Sequence, residues 1–150
     1  MHLDLLRRAL ATTVVAGLVA GCAPQSPDHS SWDDQARLAL QDTRSEVSTV
    51  KLLLELEQQH KVPGKYQQVV AQDSETAVGA TMASFGGEQP EPEDDDEYTF
   101  ITGLISDASD VLSDARIAIV RRDEQEYPRL IRQLGGLQER LTQAQGRVSP

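Results

Sequence analysis

The chain has 150 residues, room for one domain, and carries 24 acidic against 14 basic side chains for a formal net charge of −10 at pH 7. That balance argues against a nucleic-acid partner, which needs a basic footprint, and against a domain lying flat on anionic lipid. Aromatic side chains are scarce, only Trp32, Tyr66, Phe85, Tyr98, Phe100 and Tyr127, so a large ring-walled cleft is disfavoured and an aliphatic helical core is favoured.

The first element in chain order is a short basic stretch with Arg7 and Arg8, followed by an apolar run over residues 9–20. At roughly 12 residues the run is too short to cross a hydrocarbon core, which needs about 20. The run closes on Val19-Ala20-Gly21-Cys22, and Cys22 is the only cysteine in the chain. A lone cysteine in an exported protein is free, intermolecular or modified. Residues 1–22 resemble the signal peptide and lipobox of bacterial lipoproteins. The resemblance implies cleavage between Gly21 and Cys22, a diacylglyceryl group (and hence fatty acyl chains such as palmitate) on the Cys22 sulfur, and residence on the extracytoplasmic side of the cell membrane. Two acyl chains anchor stably where one is marginal. Arg7-Arg8 also invites a twin-arginine export reading, but Leu6 and Ala11 around the pair fit that pattern poorly, and the general route ranks first.

Residues 22–31, with Pro24 and Pro27 among polar neighbours, read as a flexible lipidated tether. The domain is expected over residues 32–146. Its first helix is predicted from near Ser31, capped by Ser30 or Ser31 with Asp33 and Asp34 in the first turn, to a last turn holding His60 and Lys61. Trp32, Ala36, Leu40, Val47, Val50, Leu53, Leu54 and Leu56 form its stripe. A second helix is predicted over residues 65–85, closed by Gly86-Gly87, with a thin face of Tyr66, Val69, Val70, Ala77, Ala80, Thr81 and Phe85. Residues 88–97 hold two prolines and seven acidic side chains and read as a solvated loop. The third helix, over residues 98–122, has the clearest stripe, from Ile101 through Leu104, Ile105, Leu112 and Ala115 to Ile119. The fourth starts after a break at Asp123 and tolerates Pro128 in its first turn. Gly135-Gly136 inside it predicts either a local break or a close approach to the small residues Ala77, Gly79, Ala80 and Ala83 of the second helix. The pattern is all-α, an antiparallel up-down-up-down four-helix bundle behind its tether; the alternative is a helical hairpin pair that completes its core by dimerising.

No catalytic constellation emerges. Glu57 and His60 have Glu-x-x-His spacing, but a di-iron carboxylate site needs two such pairs, and the only other histidine after Cys22 is His29, in the tether. No metal and no cofactor is therefore expected. Asp107, Asp110 and Asp114 share a strip of the third helix and read as a solvated face, and Ser106, Ser109 and Ser113 have no base beside them. Arg121, Arg122, Arg129 and Arg132 cluster around the last turn of an otherwise acidic chain; Asp123, Glu124 and Glu126 can neutralise them, or the arginines can face a partner. By elimination the expectation is a non-enzymatic, membrane-anchored lipoprotein of the bacterial cell envelope that presents its bundle to a protein partner. The alternative is a helical carrier or sensor of a small ligand. Oligomeric state is not legible.

Overall fold

A computed structural model of the chain describes residues 29–88 and 90–148. The expected signal peptide, the expected cleavage point between Gly21 and Cys22, the lipidation expected at Cys22 and the expected tether up to residue 28 lie outside the described residues. Among the described residues the fold is all-α, with helices α1 (His29–Glu57), α2 (Gly64–Phe85), α3 (Asp95–Arg121) and α4 (Tyr127–Gln145) and no strand. None of these helices is long and apolar enough to cross a membrane.

α1 forms because residues 29–57 contain neither glycine nor proline and repeat an apolar side chain at helical spacing. Trp32, Ala36, Ala39, Leu40, Val47, Val50, Leu53 and Leu54 are all buried. At 1.5 Å per residue the helix is about 44 Å long. It starts two residues earlier than expected, so Asp33 and Asp34 stand beyond its first turn, and it stops at Glu57 rather than at Lys61. The stop is a left-handed residue, His60 at φ 52°, which lets the Lys61 N–H reach back to the Leu56 carbonyl at 3.1 Å.

α2 returns beside α1 with a face different from the expected one. Gln67, Ala71, Ser74, Val78 and Phe85 are buried, while Tyr66 and Val69 are 60% and 57% exposed and Ala80 is exposed. The buried face thus lies about a quarter of a revolution from the stripe that hydrophobicity alone selects, with only Phe85 common to both. It ends where Gly86 must be glycine: a Cβ there would lie 2.5 Å from the Met82 carbonyl oxygen.

The acidic segment is shorter as a loop than predicted. Asp95, Asp96 and Glu97 form the first turn of α3, where their charge complements the helix dipole, and Asp94 is buried just before it. Ile101, Leu104, Ile105, Ala108, Leu112, Ala115, Ala118 and Ile119 then bury one face. Arg122, at φ 55°, is the left-handed stop, and the Asp123 N–H bonds the Ala118 carbonyl at 2.9 Å. α4 begins with Pro128 in its first turn, as expected, and buries Tyr127, Leu130, Leu134, Leu137, Leu141 and Ala144.

Each helix packs against its neighbours in the order α1, α2, α3, α4 and back to α1, with α1 and α3 also touching across the core. α2 and α4 do not pack together. Gly135-Gly136 therefore serves no approach to α2, and α4 runs through the pair without a break. The nearest side-chain atom to a Cβ on Gly135 would be the Lys51 Cε at 3.6 Å, and one on Gly136 would meet open space. Nothing in the structure explains the pair.

The two ends of the bundle are built differently. At the end where α1 begins, Trp32 stacks on Phe85 (centroids 6.0 Å apart) and Phe85 on Tyr98 (5.7 Å), tying α1, α2 and α3 together. The Tyr98 hydroxyl donates to the Gly86 carbonyl at 2.7 Å, bridging the α2–α3 connection. Arg147, just past α4, lies 5.0 Å above the Phe100 ring.

Candidate functional site

At the opposite end the α1–α2 and α3–α4 turns meet around a cleft of about 470 Å³. It is lined by Glu57 from the end of α1, Gly64, Lys65, Gln67 and Gln68 from the start of α2, Ile119 and Arg122 from the end of α3, and Glu124 and Tyr127 from the turn into α4. Gln67 is 4% exposed, and its side-chain amide donates both to the Glu57 carboxylate and to the Val62 carbonyl at 2.9 Å. That amide pins the α1–α2 turn to the last residue of α1.

Tyr127 is the largest fully buried side chain of the described residues, at 2% exposed. It lines the cleft with Ile119, and its oxygen is not among the buried polar atoms left without a partner, which are the Trp32 Nε1, the Thr43 Oγ1 and one Glu97 carboxylate oxygen. Burial, and then the negative charges of Glu57, Glu124 and Asp123, hold the phenol above its ordinary value of 10.0, so it stays a neutral donor. Lys65 and Arg122 form no ion pair among the described residues.

The four arginines of the sequence cluster have separate surroundings. Arg129 is held within the chain, with its Nε 2.6 Å from Glu126, its Nη1 2.6 Å from the Gln133 Oε1 and its Nη2 3.9 Å from Asp114. Arg132 lines a shallow groove between α3 and α4 with Asp107, Asp110, Val111, Gly136 and Arg140. Arg121 is exposed at the end of α3, and Arg122 alone of the four lines the cleft. The aspartate strip is engaged across the helix interface. Asp107 accepts from the Arg140 Nη1 at 2.9 Å, and Asp114 faces Arg129. Glu57 and His60 do not sit on one helical face, because the helix ends between them. Among the described residues no group of three or more His, Cys, Asp or Glu is placed to hold a metal ion.

The large hydrophobics left exposed are also unevenly placed. Tyr66 and Val69 stand in the first two turns of α2, Val120 in the last turn of α3 and Leu52 in the last two turns of α1, all toward the cleft end, whereas Leu38 lies nearer the start of α1. The comparisons with known proteins give no guide to this site: no family model, no curated protein and no solved structure matches the chain.

Proposed function

We propose that the chain is a non-enzymatic lipoprotein of the bacterial cell envelope, held on the extracytoplasmic face of the membrane by lipid on Cys22, and that it presents the far end of its bundle to a protein partner. The anchoring half rests on the lipobox-like Val19-Ala20-Gly21-Cys22. The presenting half rests on one observation, the gathering of exposed Tyr66, Val69 and Val120 with Arg121 and Arg122 at the end of the bundle opposite the start of α1. A surface that mixes apolar side chains with arginine is the composition that protein interfaces favour. The length of α1 carries this end about 44 Å from the tether, away from the lipid.

The two halves are tested separately. Replacing Cys22 by Ser and fractionating cells should release the protein from the membrane; equal retention of variant and parent contradicts anchoring. Cross-linking in the native membrane should recover a partner whose yield falls in the Arg121→Gln/Arg122→Gln variant, with a smaller fall in Arg129→Gln/Arg132→Gln, since Arg129 is engaged within the chain. Equal yields from both pairs contradict the presenting role of this end.

A further inference from the structure

α2 carries a second stripe that the bundle leaves uncovered. Tyr66, Val69, Asp73, Thr76, Ala80 and Ala83 follow one another at alternating steps of three and four residues, the heptad spacing of a helix-pairing seam. All six are exposed, Tyr66 at 60% and Val69 at 57%. At about 100° per residue the stripe lies half a revolution from the buried face of Gln67, Ala71, Ser74 and Val78, so it looks straight away from the core. Its large side chains stand at the start of the helix and its small ones at the end. A Cβ on Gly79, beside Ala80 and Ala83, would meet open space, so nothing within the bundle explains a glycine in a helix interior, where it costs stability. The two ends of the helix also differ in charge. Lys61 and Lys65, two of the three lysines of the chain, stand at its start, and its end leads into Glu88, Glu91 and Glu93. The stripe between them holds a single charge, Asp73, in a chain of net charge −10.

We propose that this stripe pairs with the same stripe of a second copy of the chain, the two α2 helices running antiparallel about a two-fold axis level with Ser74 and Glu75. In that register Tyr66 of each copy faces Ala83 of the other, Val69 faces Ala80, and Asp73 faces Thr76, and the two-fold repeats every contact. Large side chains of one copy fall over small ones of the other, and Gly79 lets the backbones come close. Charge follows the same symmetry. Lys61 and Lys65 of each copy lie toward Glu88 and Glu91 of the other, whereas a parallel pair sets lysine against lysine and Tyr66 against Tyr66. From Tyr66 to Ala83 the stripe spans about 26 Å, and a helix is about 10–12 Å wide, so the pair buries roughly 600–1,000 Å² in total. That is below the about 1,200–2,000 Å² of stable complexes, and the pairing is therefore reversible, with a Kd on the order of 100 μM. Two anchored copies paired this way would lie along the membrane. Pairing and the upright presentation proposed above thus compete for Tyr66 and Val69, and the pairing itself uses neither Cys22 nor Arg121 and Arg122.

The test uses the purified full chain carrying Cys22→Ala, which removes its only cysteine, in mild detergent at about 100 μM, near the expected Kd. A single cysteine is added at Val69 or at Ala80, and disulfide-linked dimers are followed after brief oxidation. A mixture of Val69→Cys and Ala80→Cys should link at least about fivefold faster than either variant alone, because two copies of the same position lie about 16 Å apart along the pair and a disulfide needs about 4 Å between Cβ atoms. Adding Tyr66→Ala to both variants should slow the mixed link at least about threefold. Adding Asp73→Ala should speed it, since the two Asp73 side chains flank the axis with like charge. All of these positions are exposed, so each variant should keep the helical circular dichroism of the parent. A mixed link no faster than the single-variant links, or a mixed link slowed by Asp73→Ala, overturns the proposal. Because only this chain is present, such a failure is separate from the outcomes of the Cys22→Ser fractionation and the Arg121→Gln/Arg122→Gln cross-linking.

Discussion

The end of the bundle that starts at the tether and the end that faces away from it solve the same problem in opposite ways. Both must close four helices with two connections or termini. The tether end uses rings: Trp32, Phe85 and Tyr98 stack across three helices, and Tyr98 fastens the connection by a 2.7 Å bond to Gly86. The far end uses polar groups: a buried amide at Gln67, a buried phenol at Tyr127 and two left-handed stops at non-glycine residues, His60 and Arg122. Ring stacking buries area and needs few partners. A polar closure is stable only when each group is satisfied, and here the Gln67 amide donates twice within the chain while the Tyr127 oxygen is not among the buried polar atoms left without a partner. The difference is one of closure: packed rings at the tether end, polar groups around a cleft at the far end.

That contrast can be broken from either side. The largest effect is expected at the clamp. Phe85→Ala removes the middle ring of the stack from a site only 3% exposed and should cost about 3–5 kcal/mol in urea unfolding. A loss below about 1 kcal/mol would mean the rings are not what holds this end. At the far end, Gln67→Ala leaves the Val62 carbonyl and the Glu57 carboxylate without their donor and should cost about 1–3 kcal/mol in the same measurement. Its cost should also be smaller than that of Phe85→Ala; the reverse order contradicts the division between clamp and polar end.

The smallest effect is a pH dependence from Tyr127. Its phenol titrates above 10.0 in the folded chain, first through burial and then through Glu57, Glu124 and Asp123. The folded state therefore holds this proton more tightly than the unfolded state does. The resulting stability is present in full below about pH 10 and is lost as pH rises through the folded value. Thermal unfolding across the alkaline range should fall more steeply for the parent than for Tyr127→Phe. Parallel curves would mean that burial and the neighbouring carboxylates do not hold the phenol's proton in the folded chain.

The bundle was legible because three of its helices carry strong apolar stripes. Leu104, Ile105, Leu112 and Ile119 on α3 or Leu130, Leu134, Leu137 and Leu141 on α4 announce a buried face by spacing alone. α2 shows where that logic fails. Its buried positions are Gln67, Ala71, Ser74, Val78 and Phe85, of which only Val78 and Phe85 are strongly hydrophobic and only Phe85 lies on the expected face, while Tyr66 and Val69 point outward. Helix geometry places the face correctly only when the neighbouring helix is known. The boundary errors have separate sources: the acidic run before α3 reads as loop but serves equally well in a first turn, whereas α1 stops early at the left-handed His60. The cleft itself was hidden because its lining comes from four separate stretches with no motif among them. Arg122 was singled out by charge and Glu57 by its spacing from His60, yet neither signal pointed to Tyr127 or to the open start of α2.

The most direct test of the functional account is positional. A photoreactive amino acid placed at Tyr66 or at Val120 on the far end, and at Asp96 or Thr99 on the tether end, would be irradiated in cells that make the full chain; all four positions lie at or near the surface. The account predicts a discrete protein adduct from Tyr66 and Val120 that is absent from Asp96 and Thr99. Adducts from the tether-end positions with none from the far end would contradict it.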